Sequence, residues 1–248
     1  MDSVTFLIAL GAIVAGFSQG LSGFGFGLVA MSFWAWVIDP KLAAALSVVG
    51  GLTGQIVAAF TVRRGFNLKL IFPFILGGLC GIPIGVYLLP LLDIYKFKTV
   101  LGTFLILWCP FMLFADRIPK ITQSSRFFDG IAGLGGGIMG GLGGFTGTLP
   151  TLWCTLRGFD RDTQRSIIQN FNFAMLVVIF MSYIGKGVIT TEMISTFLIV
   201  SPIVVITSYF GTRMYLGISQ QRFRQIVLTL LTFSGLTMLI TSVPHLLK

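Results

Sequence analysis

The chain has 248 residues, 55% of them hydrophobic and only 10% charged, with a mean hydropathy of +0.94. A soluble domain carries about a quarter of its residues charged, so this composition excludes a water-soluble protein and requires a bilayer as solvent. The net charge of +9 is no nucleic-acid footprint, because every Lys and Arg lies at or near the end of an apolar segment, as in membrane topogenesis.

The apolar runs are punctuated by Gly and Pro at helix-like intervals, with no ten-residue alternation. That excludes an outer-membrane barrel and predicts an all-α polytopic membrane protein. The start of the chain has no basic residue before its apolar run and reads poorly as a signal peptide. Residues 3–38 form one apolar stretch that as a straight helix would reach about 54 Å, against a hydrocarbon core of about 30 Å. It must break, and the cluster Gly16–Gly27 (GFSQGLSGFGFG) marks where. Helices are predicted over 3–19 and 24–38, then 42–62, 69–92 and 97–114.

A polar link at 116–126 divides a first repeat, 1–115, from a second, 127–248. The second opens on another glycine-broken segment, 127–157, and continues with helices over 163–184, 192–216 and 222–243. The two openings align without a gap at a displacement of 121: Gly16 with Gly137, Gly20 with Gly141, Gly23 with Gly144, Phe24 with Phe145 and Asp39 with Asp160. The ends of the halves align at a displacement of 126, Gly85 with Gly211 and Phe97 with Phe223. Each half is therefore a glycine-broken hairpin, re-entrant or fully spanning, plus three transmembrane helices.

Charge relates the halves. If each broken segment returns to the face it left, twelve of the 17 cationic residues share one face, among them Arg63, Arg64, Arg117, Arg157 and Arg165. The other five, Lys41, Lys96, Lys98, Lys186 and Lys248, share the opposite face. If the broken segments crossed once each, the split would be 8 to 9. The positive-inside rule favours the first arrangement. It makes the repeat inverted, as in many secondary transporters, puts the 116–126 link in the cytoplasm and places both termini outside the plasma (bacterial inner) membrane.

Glycines of this kind have two uses. They let transmembrane helices approach closely, and a break exposes helix N-terminal N–H groups that attract anions. Polar residues within the breaks, including Gln19, Ser22 and Thr146, favour the second use, because broken backbone at membrane depth needs burial or a cavity. Gly23 and Phe24, and the equivalent Gly144 and Phe145, then sit at the substrate. Ser47, Thr53 and Gln55 lie on the first half's next helix. Gln169 and Asn172 share a face of its counterpart, whereas Asn170 points elsewhere; these amides either bond neighbouring helices or contact substrate. The candidate substrate-binding residues are Gln19, Ser22, Gly23, Phe24, Ser47, Gly144, Phe145, Thr146, Gln169 and Asn172.

All eight Asp and Glu map to loops or helix ends, and the only His is His245. A proton-carrying carboxylate relay has no candidate, nor does a metal cluster, a cofactor or a catalytic pair. Cys80, Cys109 and Cys154 lack CxxC spacing and are expected to be small buried hydrophobes. A transporter for a small anion in a lipid bilayer is expected, with no nucleic-acid partner and with oligomeric state left open.

The duplicated glycine segment, Ser47, Arg63-Arg64-Gly65, Gly85 with Leu88-Leu89, Gly158-Phe159-Asp160, Gly211-Thr212-Arg213 and Gln221-Arg222-Phe223-Arg224 occur in one order over nearly the whole chain. That order resembles the sulfite exporter (TauE/SafE) family of membrane permeases. The resemblance implies transport of small, often sulfur-containing anions such as sulfite, sulfonates or thiosulfate. Within it, export and ion-coupled uptake both stand as readings, with an intramembrane enzyme behind them.

Overall fold

The computed structural model describes residues 3–61, 65, 67–115, 118–121, 125–214 and 220–246. Ten α-helices occur among them: α1 (Ser3–Ser22), α2 (Phe26–Trp34), α3 (Pro40–Thr61), α4 (Leu68–Leu88), α5 (Ile94–Phe114), α6 (Arg126–Gly143), α7 (Thr148–Leu156), α8 (Arg161–Gly185), α9 (Ile194–Met214) and α10 (Gln220–Leu246). No strand occurs among the described residues. Of the cations that set the charge asymmetry, Arg63, Arg64, Arg117 and Lys248 lie outside the described residues.

Seven helices are long and apolar enough to cross a membrane: α1, α3, α4, α5, α8, α9 and α10. Their outer faces carry large exposed apolar side chains, for example Leu107, Leu198 and Phe233, a surface suited to lipid. Cys80 belongs to such a face of α4, with exposed Leu76, Leu79 and Ile84. This corrects the expectation of three buried thiols: Cys109 and Cys154 are buried, but Cys80 is not.

The helix starts follow from local chemistry. Asp39, Asp93 and Asp160 each accept backbone N–H bonds from the first turn of α3, α5 and α8, and Ser125 caps α6 in the same way. The side chain satisfies donors the helix leaves orphaned. These bonds hold the Asp93 and Asp160 carboxyls below the usual carboxylate range, through Lys96 and Thr163 respectively.

Both glycine-broken segments are hairpins. The helix α1 runs three residues past its expected end because the Gly23 N–H still donates to Gln19 O at 2.7 Å. The chain then turns at Gly23 (φ 80°) and Gly25 (φ 91°), a left-handed backbone that Gly adopts without steric cost. The second segment turns at Gly144 (φ 77°), 121 positions after Gly23. Each hairpin is clamped by an indole. Trp34 Nε1 donates to Ile8 O at 3.1 Å, so α2 lies back along α1. Trp153 Nε1 donates to Asp129 Oδ1 at 2.7 Å, so α7 lies back along α6. Ile8 and Asp129 are themselves 121 apart.

Packing crosses between the halves. The helix α4 lies on α6 and α9 lies on α1; α3 meets α9, and α8 meets α4; α5 pairs with α10 and α3 with α8. The α4–α6 crossing is built on small residues. A Cβ at Gly81 or Gly85 would strike the α6 backbone at Leu134 or Ile138, and one at Gly133 or Gly137 would strike the α4 backbone at Phe74 or Gly78. Across the molecule, a Cβ at Gly20 would strike Ser208 and Thr212 of α9. For Gly16, Gly20, Gly133, Gly137 and Gly141 the close-packing use of glycine is therefore the one realised.

Candidate functional site

The two breaks meet around one small cavity. Its walls come from the α1–α2 break (Phe24–Leu28), the α6–α7 break (Gly144–Thr148), Gln19 of α1, Gly51 and Gln55 of α3, and Asn172 and Leu176 of α8. Gly51 and Gln55 lie near the middle of α3, and Asn172 and Leu176 near the middle of α8. The cavity therefore sits halfway along two helices long enough to span a bilayer.

The helices α2 and α7 have nine residues each, about 14 Å, or half a hydrocarbon core. Both begin at the cavity. The first turn of α2 offers the N–H groups of Phe26, Gly27 and Leu28, which precede the first i−4 bond, from Val29 N–H to Gly25 O. The first turn of α7 offers fewer, since Thr148 N–H already donates to Phe145 O at 3.2 Å and Pro150 has no N–H. The two half-helices are thus unequal donors, with α2 the richer.

The polar side chains divide into those that line the cavity and those that shape it. Gln19 lines it while its Nε2 donates to Gly51 O at 2.8 Å. Thr146 and Asn172 line it together, Thr146 Oγ1 donating to Asn172 Oδ1 at 2.9 Å. Phe24, Gly144 and Phe145 also line it. Ser22, by contrast, is half-buried, its hydroxyl 2.7 Å from Ser18 O and 2.6 Å from Phe24 O; it is occupied in closing the turn.

Gly23, Ser47 and Gln169 sit immediately behind the lining. Ser47 Oγ is fully buried without a hydrogen-bond partner. It lies 2.7 Å from where a Cβ on Gly27 would stand and 2.8 Å from one on Gly144, at the seam between the two breaks. Gln169 Nε2 is likewise buried and unpaired, 2.9 Å from a Cβ position on Gly23. Asn170 turns away, donating to Gly65 O at 3.1 Å and Ser166 O at 2.8 Å.

Nine of the cavity-lining residues are not among the sequence candidates, among them Gln55, Thr148 and Gly27. Gln55 donates its Nε2 to Gly23 O at 3.0 Å, Thr148 donates to Phe145 O at 2.8 Å, and Gly27 opens the first turn of α2. Gln55 stands eight residues after Ser47 on α3, a helical repeat that puts both on the inward face. That periodicity was the available signal. Among the described residues no cluster of His, Cys, Asp or Glu suited to a metal ion occurs.

Beyond the cavity, the outer end of the second hairpin is held by charge. Arg157 Nη1 pairs with Asp129 Oδ1 at 2.7 Å, both side chains largely buried, and Lys120 Nζ donates to Thr155 O at 3.2 Å. The first hairpin ends differently, with Lys98 Nζ 4.8 Å over the Trp36 ring.

The family model for the sulfite exporter TauE/SafE matches residues 8–238, nearly the whole chain. Neither a curated protein nor a solved structure matches it.

Proposed function

The chain belongs to the sulfite exporter TauE/SafE family of membrane transporters, and from that premise we propose that it is a permease, working as an exporter, for small sulfur-containing anions such as sulfite, sulfonates or thiosulfate. The observation that carries this reading is the convergence of two half-helices on one buried polar cavity. Helix N-terminal N–H groups and the helix dipole supply attraction for an anion. Gln19, Thr146 and Asn172 supply side-chain contacts, and Ser47 and Gln169 reserve donors behind the glycines. Phe24 and Phe145, at equivalent turns, close the apolar sides.

The mechanism is alternating access about this cavity, with the halves as inverted repeats. One observation supports the repeat and a second its inversion. The helix pairings interchange when the halves are exchanged, α4 on α6 becoming α9 on α1. Residues assigned to one face also neighbour one another: Tyr95 stacks on His245 with centroids 4.4 Å apart, while Lys120 reaches Thr155 at the other end. The basic end is then cytoplasmic, and both termini lie outside the inner membrane.

Export of an anion needs no proton carrier. A potential negative inside favours outward movement of one negative charge by about 2.3 kcal/mol per 100 mV. Vesicles containing the protein and loaded with sulfite are expected to lose it faster when the interior is made negative. Loss that does not respond to potential would overturn electrogenic export.

A further inference from the structure

We propose that the cavity is selective for charge number: it takes singly charged oxyanions, hydrogen sulfite and sulfonates, in preference to doubly charged ones such as sulfite, sulfate and thiosulfate. This rests on the anion-permease reading above and narrows its substrate class.

The donors around the cavity are uncharged. Among the described residues the cavity wall contains no Lys, Arg or His. Every polar group on that wall is neutral: the α2 N–H groups, the amides of Gln19, Gln55 and Asn172, and the hydroxyls of Thr146 and Thr148, the two hydroxyls donating to Asn172 Oδ1 and Phe145 O. Two further neutral groups, Ser47 Oγ and Gln169 Nε2, are buried without partners beside the same breaks. Unpaired buried polar atoms are costly, so Ser47 and Gln169 hold neutral donors in reserve behind the breaks. The Asp129–Arg157 pair stands at the far end of α7 from its cavity-facing start, and Arg157 is already neutralised.

The charge dependence follows from electrostatics. The cost of taking an ion out of water rises with the square of its charge. Its attraction to fixed dipoles rises only with the first power. A site made of dipoles alone can therefore balance one charge while failing for two.

The purified, reconstituted protein tests this with two ions whose charge does not change near neutrality, methanesulfonate (one charge) and sulfate (two). Binding is read by ligand-induced thermal shift and uptake by isotopic flux. Methanesulfonate is expected to bind at least about tenfold more tightly than sulfate. With sulfite itself, apparent affinity for total sulfite should fall as pH rises and hydrogen sulfite loses its proton, while methanesulfonate affinity stays level. Sulfate binding as tight as methanesulfonate, or a sulfite affinity that is level or rises with pH, overturns the charge selectivity and leaves the permease standing. Failure of every one of these anions to bind or move overturns the permease reading itself.

Discussion

The hydroxyl of Thr146 donates to Oδ1 of Asn172 at 2.9 Å, and that bond decides which way the Asn172 amide faces. With Oδ1 engaged by Thr146, the donors left to Asn172, a cavity-lining residue, are those of Nδ2. Asn172→Asp keeps the shape but replaces a donor with a buried negative charge. Anion binding is expected to fall by more than about tenfold, with the thermal shift in sulfite or methanesulfonate lost. If the Asn172→Asp variant bound as before, the site would have to lie away from α8.

Gln19→Ala combined with Thr146→Val tests the two walls together. Gln19 comes from the first half and Thr146 from the second, and each orients a cavity group through a single hydrogen bond. Removing both is expected to weaken anion binding by about tenfold or more, since each neutral bond contributes on the order of 1 kcal/mol. The reading is a binding isotherm on folded, monodisperse protein. Undiminished affinity would place the substrate elsewhere.

The hairpin that carries Thr146 is anchored at its other end by Asp129. That carboxylate receives both Trp153 Nε1 and Arg157 Nη1 on the same oxygen, each at 2.7 Å. Asp129→Asn leaves a largely buried guanidinium without its counter-charge, which costs about 3 kcal/mol or more. Arg157→Leu in the same chain removes the orphaned charge and should recover part of that loss. Unfolding in detergent, read by intrinsic fluorescence, gives the double-mutant cycle; purely additive single effects would refute the coupling.

Much of this arrangement could be read from the sequence because turns and breaks are local. Gly23 and Gly144 align at one displacement and adopt nearly the same left-handed φ, and the three Asp caps follow from residue type at a helix start. What could not be read was the job of each glycine within a cluster. Gly137 and Gly144 look alike along the chain, yet the first faces the α4 backbone and the second makes the turn, a distinction that exists only once α4 packs on α6. Ser22 is close to the break along the chain, but its hydroxyl is taken up by the turn. Gln55, two helical turns beyond Ser47, is far from the break along the chain, although the fold brings it to Gly23.

The caps carry a pH dependence. The Asp93 and Asp160 carboxyls are held below their ordinary range by bonds to the first turns of α5 and α8. A folded-state depression means the contribution is complete above the unfolded value, about pH 4, and is lost as pH falls through the lower folded value. The melting temperature of the native chain should therefore drop more steeply below about pH 4 than that of an Asp93→Asn, Asp160→Asn variant. Parallel acid limbs in the two proteins would mean that these caps do not couple to folding.

The two uses of glycine can be separated by single alanines. At Gly25 an added Cβ meets nothing within 4 Å, but φ is 91°, so Gly25→Ala costs backbone strain alone, about 1–2 kcal/mol. It also tilts the first turn of α2, whose N–H groups face the cavity, so anion affinity should fall along with stability. At Gly137 the backbone is ordinary helix, and the added Cβ would strike the α4 backbone at Gly78. Neither main chain can yield locally, so α4 and α6 must separate and their whole contact is weakened. Gly137→Ala is therefore expected to lower the melting temperature more than Gly25→Ala. In the fraction that folds, anion affinity should stay closer to that of the native chain. If the order of the two affinity losses came out reversed, the turn at Gly25 would not be what positions the donors, and the α4–α6 crossing would be.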